Sequence, residues 1–409
     1  MDSSQNLESS EDVHEDIIRY YMEKYPFLID HSSSEHITEQ YLIDELRNQI
    51  VDNKLTIEEN DELKNTEFLN DFEIEELNIN ECQNIVLKLN HNTIKKLQLD
   101  HCRIQCSDDF QLPNLKVLSL TNDQYENKAT FFQSIGKFKN LKEVMLCDFF
   151  DVDLNMIPQQ ITDLQLLSCD LTNIELLTQF TYLTNLDLAG NGKIDIRPLS
   201  TMRQLTVLGL CQCGLKNVDS LKSLVQLKDL NISCNYSYNN DQQIQSLDIH
   251  SLQYLKQLTQ LNLTYCYLVD VSCLKPLSNL KSLDIAQNNI VYLEPLKDLK
   301  QLEFLNIWKN CIQDTSVLNN HPNFNFYNMD DQKQPDKQLI AEANKLRDIN
   351  VQISQLRNIT KLDSSLKSKM TWQSQKVCQF LYQIHNAHNQ FSESVASLFQ
   401  LVNTSEGLQ

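Results

Sequence analysis

Cysteine and histidine are the residues here whose types and spacing could do chemistry, so they come first. Cys82, Cys102, Cys169, Cys213 and Cys266 are spread along the chain, and Cys211-Gln-Cys213 forms a close pair. Such thiols could hold zinc or cross-link, but a zinc site needs its ligands to converge tetrahedrally on one point. His385 and His388 would share one side of a helix, yet no third ligand stands beside them. His14-Glu15 lacks the second histidine of a metalloprotease helix, and no Lys-Ser/Thr follows Gly190-Asn-Gly192 as a phosphate loop requires. A Gly-x-Ser-x-Gly nucleophile elbow is also missing from the sequence. The expectation is a protein that is not an enzyme and takes no cofactor and no metal.

The elements that would position these cysteines emerge from self-similarity along the chain. Leu183-Thr-Asn-Leu186-Asp-Leu188-Ala-Gly-Asn191 reads LxxLxLxxN. The frame returns with its middle aliphatic at Leu55, Leu77, Leu97, Leu118, Val144, Leu164, Leu186, Leu208, Leu230, Leu261, Leu283 and Leu305. Most steps are 20 to 22 residues; Leu118 to Val144 takes 26 and Leu230 to Leu261 takes 31. The longer steps carry Ala129–Gly136, read as a helix, and Tyr236–Gln243, read as a protruding loop. Leucines two apart on a strand face one side and must bury, and one turn cannot cover itself, so turns stack. The ninth-position Asn is placed to hydrogen-bond the backbone of the turn as a ladder. All five spread cysteines fall on that ladder position, lined up along a spine, and only one sulfur of Cys211-Gln-Cys213 points inward.

The frame from Val51 to Asn328 resembles the short, roughly 22-residue class of leucine-rich repeats, found in the regulatory subunit of protein phosphatase 1 and in internalins. The Asp52–Asn60 turn and the segment Thr93 to Leu97 are also similar to the large leucine-rich-repeat families of flagellated protists. The resemblance implies an α/β solenoid, a horseshoe with parallel strands on its concave side, and a protein-binding role. It also raises a regulatory or targeting subunit of a serine/threonine phosphatase as an alternative.

Composition narrows the partners. The 409-residue chain is 41% hydrophobic, which suffices for a core, and its 6 Gly and 8 Pro are few for a turn-rich fold. A net charge of −20 opposes nucleic acid and anionic membranes and favours a basic protein partner. The polar, acidic start at Met1–Asp16 has no signal-peptide pattern, and no run of about 18 apolar residues would span a bilayer. Twelve cysteines then read as reduced thiols, in the cytoplasm or the nucleus.

Three parts follow: 1–50, an acidic segment and helical cap; 51–330, a solenoid of about twelve turns; and 331–409, an α-helical, coiled-coil-like tail. Val13, Ile17, Ile18 and Tyr21, then Ile37, Tyr41, Leu42, Leu46 and Ile50, set the helical period of the cap. In the tail, the apolar stripe at Val377, Leu381, Ile384, Phe391, Val395, Leu398 and Val402 must bury against itself, another chain or the solenoid. Self-association through these helices, and with it a structural or cytoskeletal scaffold, is the rival reading.

The binding face lies between and beside the buried leucines. Its central stripe reads Asn78, Gln98, Ser119, Met145, Gln165, Asp187, Gly209, Asn231, Asn262, Asp284, Asn306, flanked by Glu76, Glu143, Asp163 and Asp229. Tyr265, Phe304, Trp308 and Lys309 add an aromatic end suited to a binding hot spot, or to burial under the C-terminal helices. The partner-binding set is therefore Asp187, Asp229, Asn231, Asn262, Tyr265, Asp284, Phe304, Asn306, Trp308 and Lys309.

Overall fold

A leucine at alternate positions makes one side of an extended segment apolar, and thirteen such segments stack here into one parallel sheet in chain order. The computed structural model describes residues 45–59, 66–82, 85–107, 110–121, 124–125, 128–238, 244–319, 321–322, 326–328 and 330–333, with five helical residues between 337 and 344. Most of the expected N-terminal cap, the tail with His385 and His388, and the ladder position Asn60 lie outside the described residues. Each marker aliphatic sits opposite the next, as in Leu55↔Leu77, Leu186↔Leu208 and Leu283↔Leu305. Register is kept across both long steps, with Leu118↔Val144 and Leu230↔Leu261.

The sheet has one strand more than the sequence frame predicts. Its thirteenth strand, Phe326–Asn328, pairs Tyr327 with Leu305, so an aromatic stands where the frame looks for leucine. The aliphatics form one continuous core from Leu46 to Leu318. Burial of each contributes about 1.5–3 kcal/mol before chain entropy is subtracted.

The strands come in two lengths. The first six, from Lys54–Glu58 to Asp163–Leu167, have five residues each. The last seven, from Asn185–Asp187 to Phe326–Asn328, have three. An Asp or Asn at the third position ends most of the short strands. Its Oδ1 accepts the backbone N–H two residues on, at 2.9 Å for Asp187 to Ala189 and 3.0 Å for Asp284 to Ala286. Such a side chain competes with the ladder and bends the chain away from it. Thr56, Asn78, Gln98, Ser119, Met145 and Gln165 hold the same position in the longer strands, which run on; Asn78 there turns its amide to Thr56 Oγ1 at 3.4 Å instead of capping its own chain.

The reverse side changes along the molecule. Ile85–Leu87, Arg103–Cys106 and Gln124–Tyr125 form a second, three-stranded parallel sheet. The 26-residue step folds as an α-helix, Lys128–Ile135, as its sequence leads one to expect. Phe132 of this helix packs edge-on against Phe149 with ring centroids 5.4 Å apart, so an aromatic fills the ladder position of that turn. Beyond it the returns are 3-10 turns, from Leu154–Met156 to Ser316–Leu318, the 31-residue step adding a short hairpin to its own. An Asn or Asp just ahead of several of these turns accepts an early N–H in its side chain, as Asn173 does from Glu175 and Asp314 from Ser316, both at 2.8 Å.

Short described pieces of both flanks touch the solenoid. Residues 45–48 are helical and bury Leu46 in the core, while the Arg47 guanidinium lies 5.1 Å from the Phe72 ring centroid. At the other end Ala343 is buried with Val291 and Cys311, and the Tyr292 hydroxyl donates to Asn344 Oδ1 at 3.0 Å.

Candidate binding face and the ladder beneath it

The cysteines are structural where the ladder predicts it. Cys102 Sγ donates to the Ile79 and Asp100 carbonyls, both at 3.3 Å. Cys169 and Cys213 bond Leu146 O and Leu188 O at 3.4 and 3.1 Å, each reaching back to the preceding turn. Asparagine does more at the same position. The Asn235 Nδ2–H groups donate to Leu210 O at 2.7 Å and Ile232 O at 2.9 Å. Its Oδ1 accepts the N–H of Cys213 at 3.1 Å and of Leu215 at 3.0 Å. A thiol donates but offers no comparable acceptor. In several turns the two types alternate, so that the Asn of one turn satisfies the N–H groups of the Cys turn before it: Asn191 with Cys169, Asn235 with Cys213, Asn288 with Cys266. Burial pushes the Cys213 and Cys266 thiols up to about 12, which leaves them neutral and unreactive near neutral pH.

Sequence reasoning missed the last rung. Gln332 Nε2 donates to Ile307 O at 2.8 Å and its Oε1 accepts the Ile312 N–H at 3.0 Å, a longer side chain in the asparagine role. The signal that could have found it is position: Gln332 follows Asn310 by one repeat length.

Just before the ladder position, in every turn where that residue is described, the chain turns left-handed. Glu59, Glu81, His101, Asp148, Ser168, Gly190, Gln212, Cys234, Tyr265, Gln287, Lys309 and Asp331 all have φ between 48° and 78°. Only Gly190 among them is free of the Cβ clash that makes this conformation costly for other residues. Two expected partner-binding residues, Tyr265 and Lys309, therefore stand on a turn position that the fold itself imposes.

The central stripe is likewise built into the fold. Asn231, Asn262 and Asn306 accept the N–H groups of Ser233, Thr264 and Trp308 at 3.1, 2.9 and 3.2 Å. Asp284 also accepts from the Thr264 hydroxyl at 2.8 Å and from Asn306 Nδ2 at 3.0 Å. Asp163 accepts a short hydrogen bond from Asn185. Asp187 leans over Gly209, where a Cβ would collide with its carboxylate. Burial raises the Asp187 carboxyl above its usual value, offset in part by the Ala189 N–H, and burial alone raises Asp229. No ion pair to either carboxylate occurs among the described residues. Between their strands Val207 stays 37% exposed.

At the aromatic end, Phe304, Trp308 and Lys309 are all half-buried. The Trp308 indole N–H donates to Asp331 Oδ2 at 3.1 Å, and the Lys309 ammonium lies 4.1 Å from its ring centroid. The described C-terminal helical residues Ala343 and Asn344 rest on Val291, Cys311 and Tyr292 instead. Tyr265 belongs to a separate cluster: its ring centroid lies 5.4 Å from Tyr236 and 5.3 Å from Tyr267. Tyr236 and Tyr267 were not singled out in the sequence, although each directly follows a ladder residue. The insert that begins at Tyr236 forms a short hairpin, Ser237–Tyr238 pairing with Ile244–Gln245, where a loop was expected.

Parallel one-strand turns, a 3-10 return and a buried Asn/Cys ladder define the fold of a leucine-rich-repeat protein. A solved structure agrees. An internalin from Listeria monocytogenes is 19% identical, with 71% of this chain and 89% of that chain covered and a TM-score of 0.51. A leucine-rich-repeat protein of Leptospira interrogans is 21% identical over 64% of this chain and 73% of its own, with a TM-score of 0.49. The likeness to the internalin establishes the fold and nothing further. No sequence-family model and no curated protein matches the chain.

Proposed function

We propose that the chain is a non-catalytic binding module that grips a basic segment of a protein partner on the outward, concave face of its long sheet. The observation that carries this reading is the pair Asp187 and Asp229. Both carboxylates are partly desolvated beside exposed Val207, with no ion-pair partner among the described residues. Water has been partly removed from them at a cost, and an incoming lysine or arginine would offset it while its aliphatic stem covers Val207. The net charge of −20 steers such a partner toward the molecule as a whole. Trp308 and Phe304 supply the apolar part of the contact at the far end of the sheet. A phosphatase subunit would be one instance of such a module, and no described residue selects it.

The test is affinity purification from the native cell with wild type, an Asp229→Lys/Trp308→Ala variant, and a reverse-side control, Val225→Lys. Proteins retained by wild type and the control but lost from the face variant support the reading, and their retention should weaken as salt is raised. Equal recovery by all three would overturn it.

A further inference from the structure

Cys211 and Cys234 are the two half-exposed thiols of a region whose other cysteines, Cys213 and Cys266, are buried in the ladder. They sit on adjacent turns. Gly209 lies opposite Asn231, and Gln212 N–H reaches Ser233 O at 3.0 Å, so the two turns run side by side at this point. Cys211 and Cys234 are thus neighbours offset by one residue, and strand spacing places their Cα atoms about 6 Å apart, within the span of a disulfide. Besides burial, the Cys211 thiol lies close enough to Cys234 to be felt electrostatically, helping to push the Cys234 thiol up. Among the described residues no group of three or more His, Cys, Asp or Glu is arranged to hold a metal ion, so the pair has no further ligands to complete a metal site.

We propose that Cys211 and Cys234 are an oxidation site, at which a hydroperoxide converts the two thiols into a disulfide that ties neighbouring turns together beside the binding face. One sulfur attacks the peroxide oxygen. The O–O bond breaks, an alcohol or water leaves, and a sulfenic acid forms. The second sulfur attacks that sulfenic sulfur, forming the S–S bond and expelling water. The two thiols give up two electrons and two protons, and the hydroperoxide takes up both. Burial pushes the Cys234 thiol up, which suits it to be the resolving partner rather than the first nucleophile. Cys213 and Cys266 stay out of the reaction because their sulfurs are buried and engaged with carbonyls. The bond would restrain the turn immediately before Tyr236, where the insert leaves the solenoid.

The test is peptide mapping of the reduced full-length chain after treatment with hydrogen peroxide, with iodoacetamide blocking the remaining thiols. The expected product is a cross-linked peptide pair joining Cys211 to Cys234, two hydrogens lighter than its parts and restored by dithiothreitol. In Cys234→Ser the cross-link is lost and dimedone traps a sulfenic acid on Cys211. Recovery of both thiols free, over-oxidised separately, or joined to other cysteines in wild type would overturn the proposal. The wild-type map decides the matter even if the serine variant fails to fold.

Discussion

Asn235 joins two turns through five backbone hydrogen bonds, three given and two received, and it is fully buried. Asn235→Ala strands those groups without water, and at roughly 1–3 kcal/mol for each one left unpaired the expected loss is about 4 kcal/mol. Urea unfolding measures it, and an unchanged midpoint would contradict the ladder assignment. The thiols make a pH prediction. Cys213 and Cys266 are held protonated up to about 12 in the fold against 9.0 for the ordinary value. Above pH 9 the unfolded chain releases protons that the native one keeps, so the stability they confer is intact below pH 9 and is lost as pH rises toward 12. Replacing both with alanine should flatten that alkaline decline in thermal melts. The ladder was legible in the sequence because Asn and Cys recur at one frame position. The duty of Asp187, Asn231 and Asp284 in ending strands was not, because a solvated face and a backbone cap call for the same residue types.

Among elements, several 3-10 turns are entered through an Asn or Asp that accepts an early N–H of the turn. The Asn217 side chain accepts the Asp219 N–H at 3.2 Å at the start of Asp219–Ser223. Asn217→Ala should cost about 1 kcal/mol, read as a lower urea midpoint with unchanged slope. The 26-residue step forecast the helix Lys128–Ile135 correctly, whereas the longer 31-residue step holds a short hairpin and a 3-10 turn instead. The thirteenth strand escaped the frame because Phe326-Tyr-Asn328 carries no aliphatic, and its pairing with Phe304–Asn306 follows from stacking alone.

For the whole molecule, one core threads every turn, so damage in the middle should be felt at both ends. Leu230 is fully buried in the ninth strand of the sheet, and Leu230→Ala should cost about 2–5 kcal/mol. Hydrogen exchange should then quicken in flanking turns before it quickens in distant ones; uniform quickening would argue against nearest-neighbour stacking. The hairpin Ser237–Tyr238 and Ile244–Gln245 leaves the pairing of Asp229–Asn231 with Gln260–Asn262 untouched. That junction is accordingly a natural port for cargo: a fluorescent domain or epitope spliced there would ride outboard like a flag on a mast, reporting the protein's whereabouts without disturbing the spring beneath.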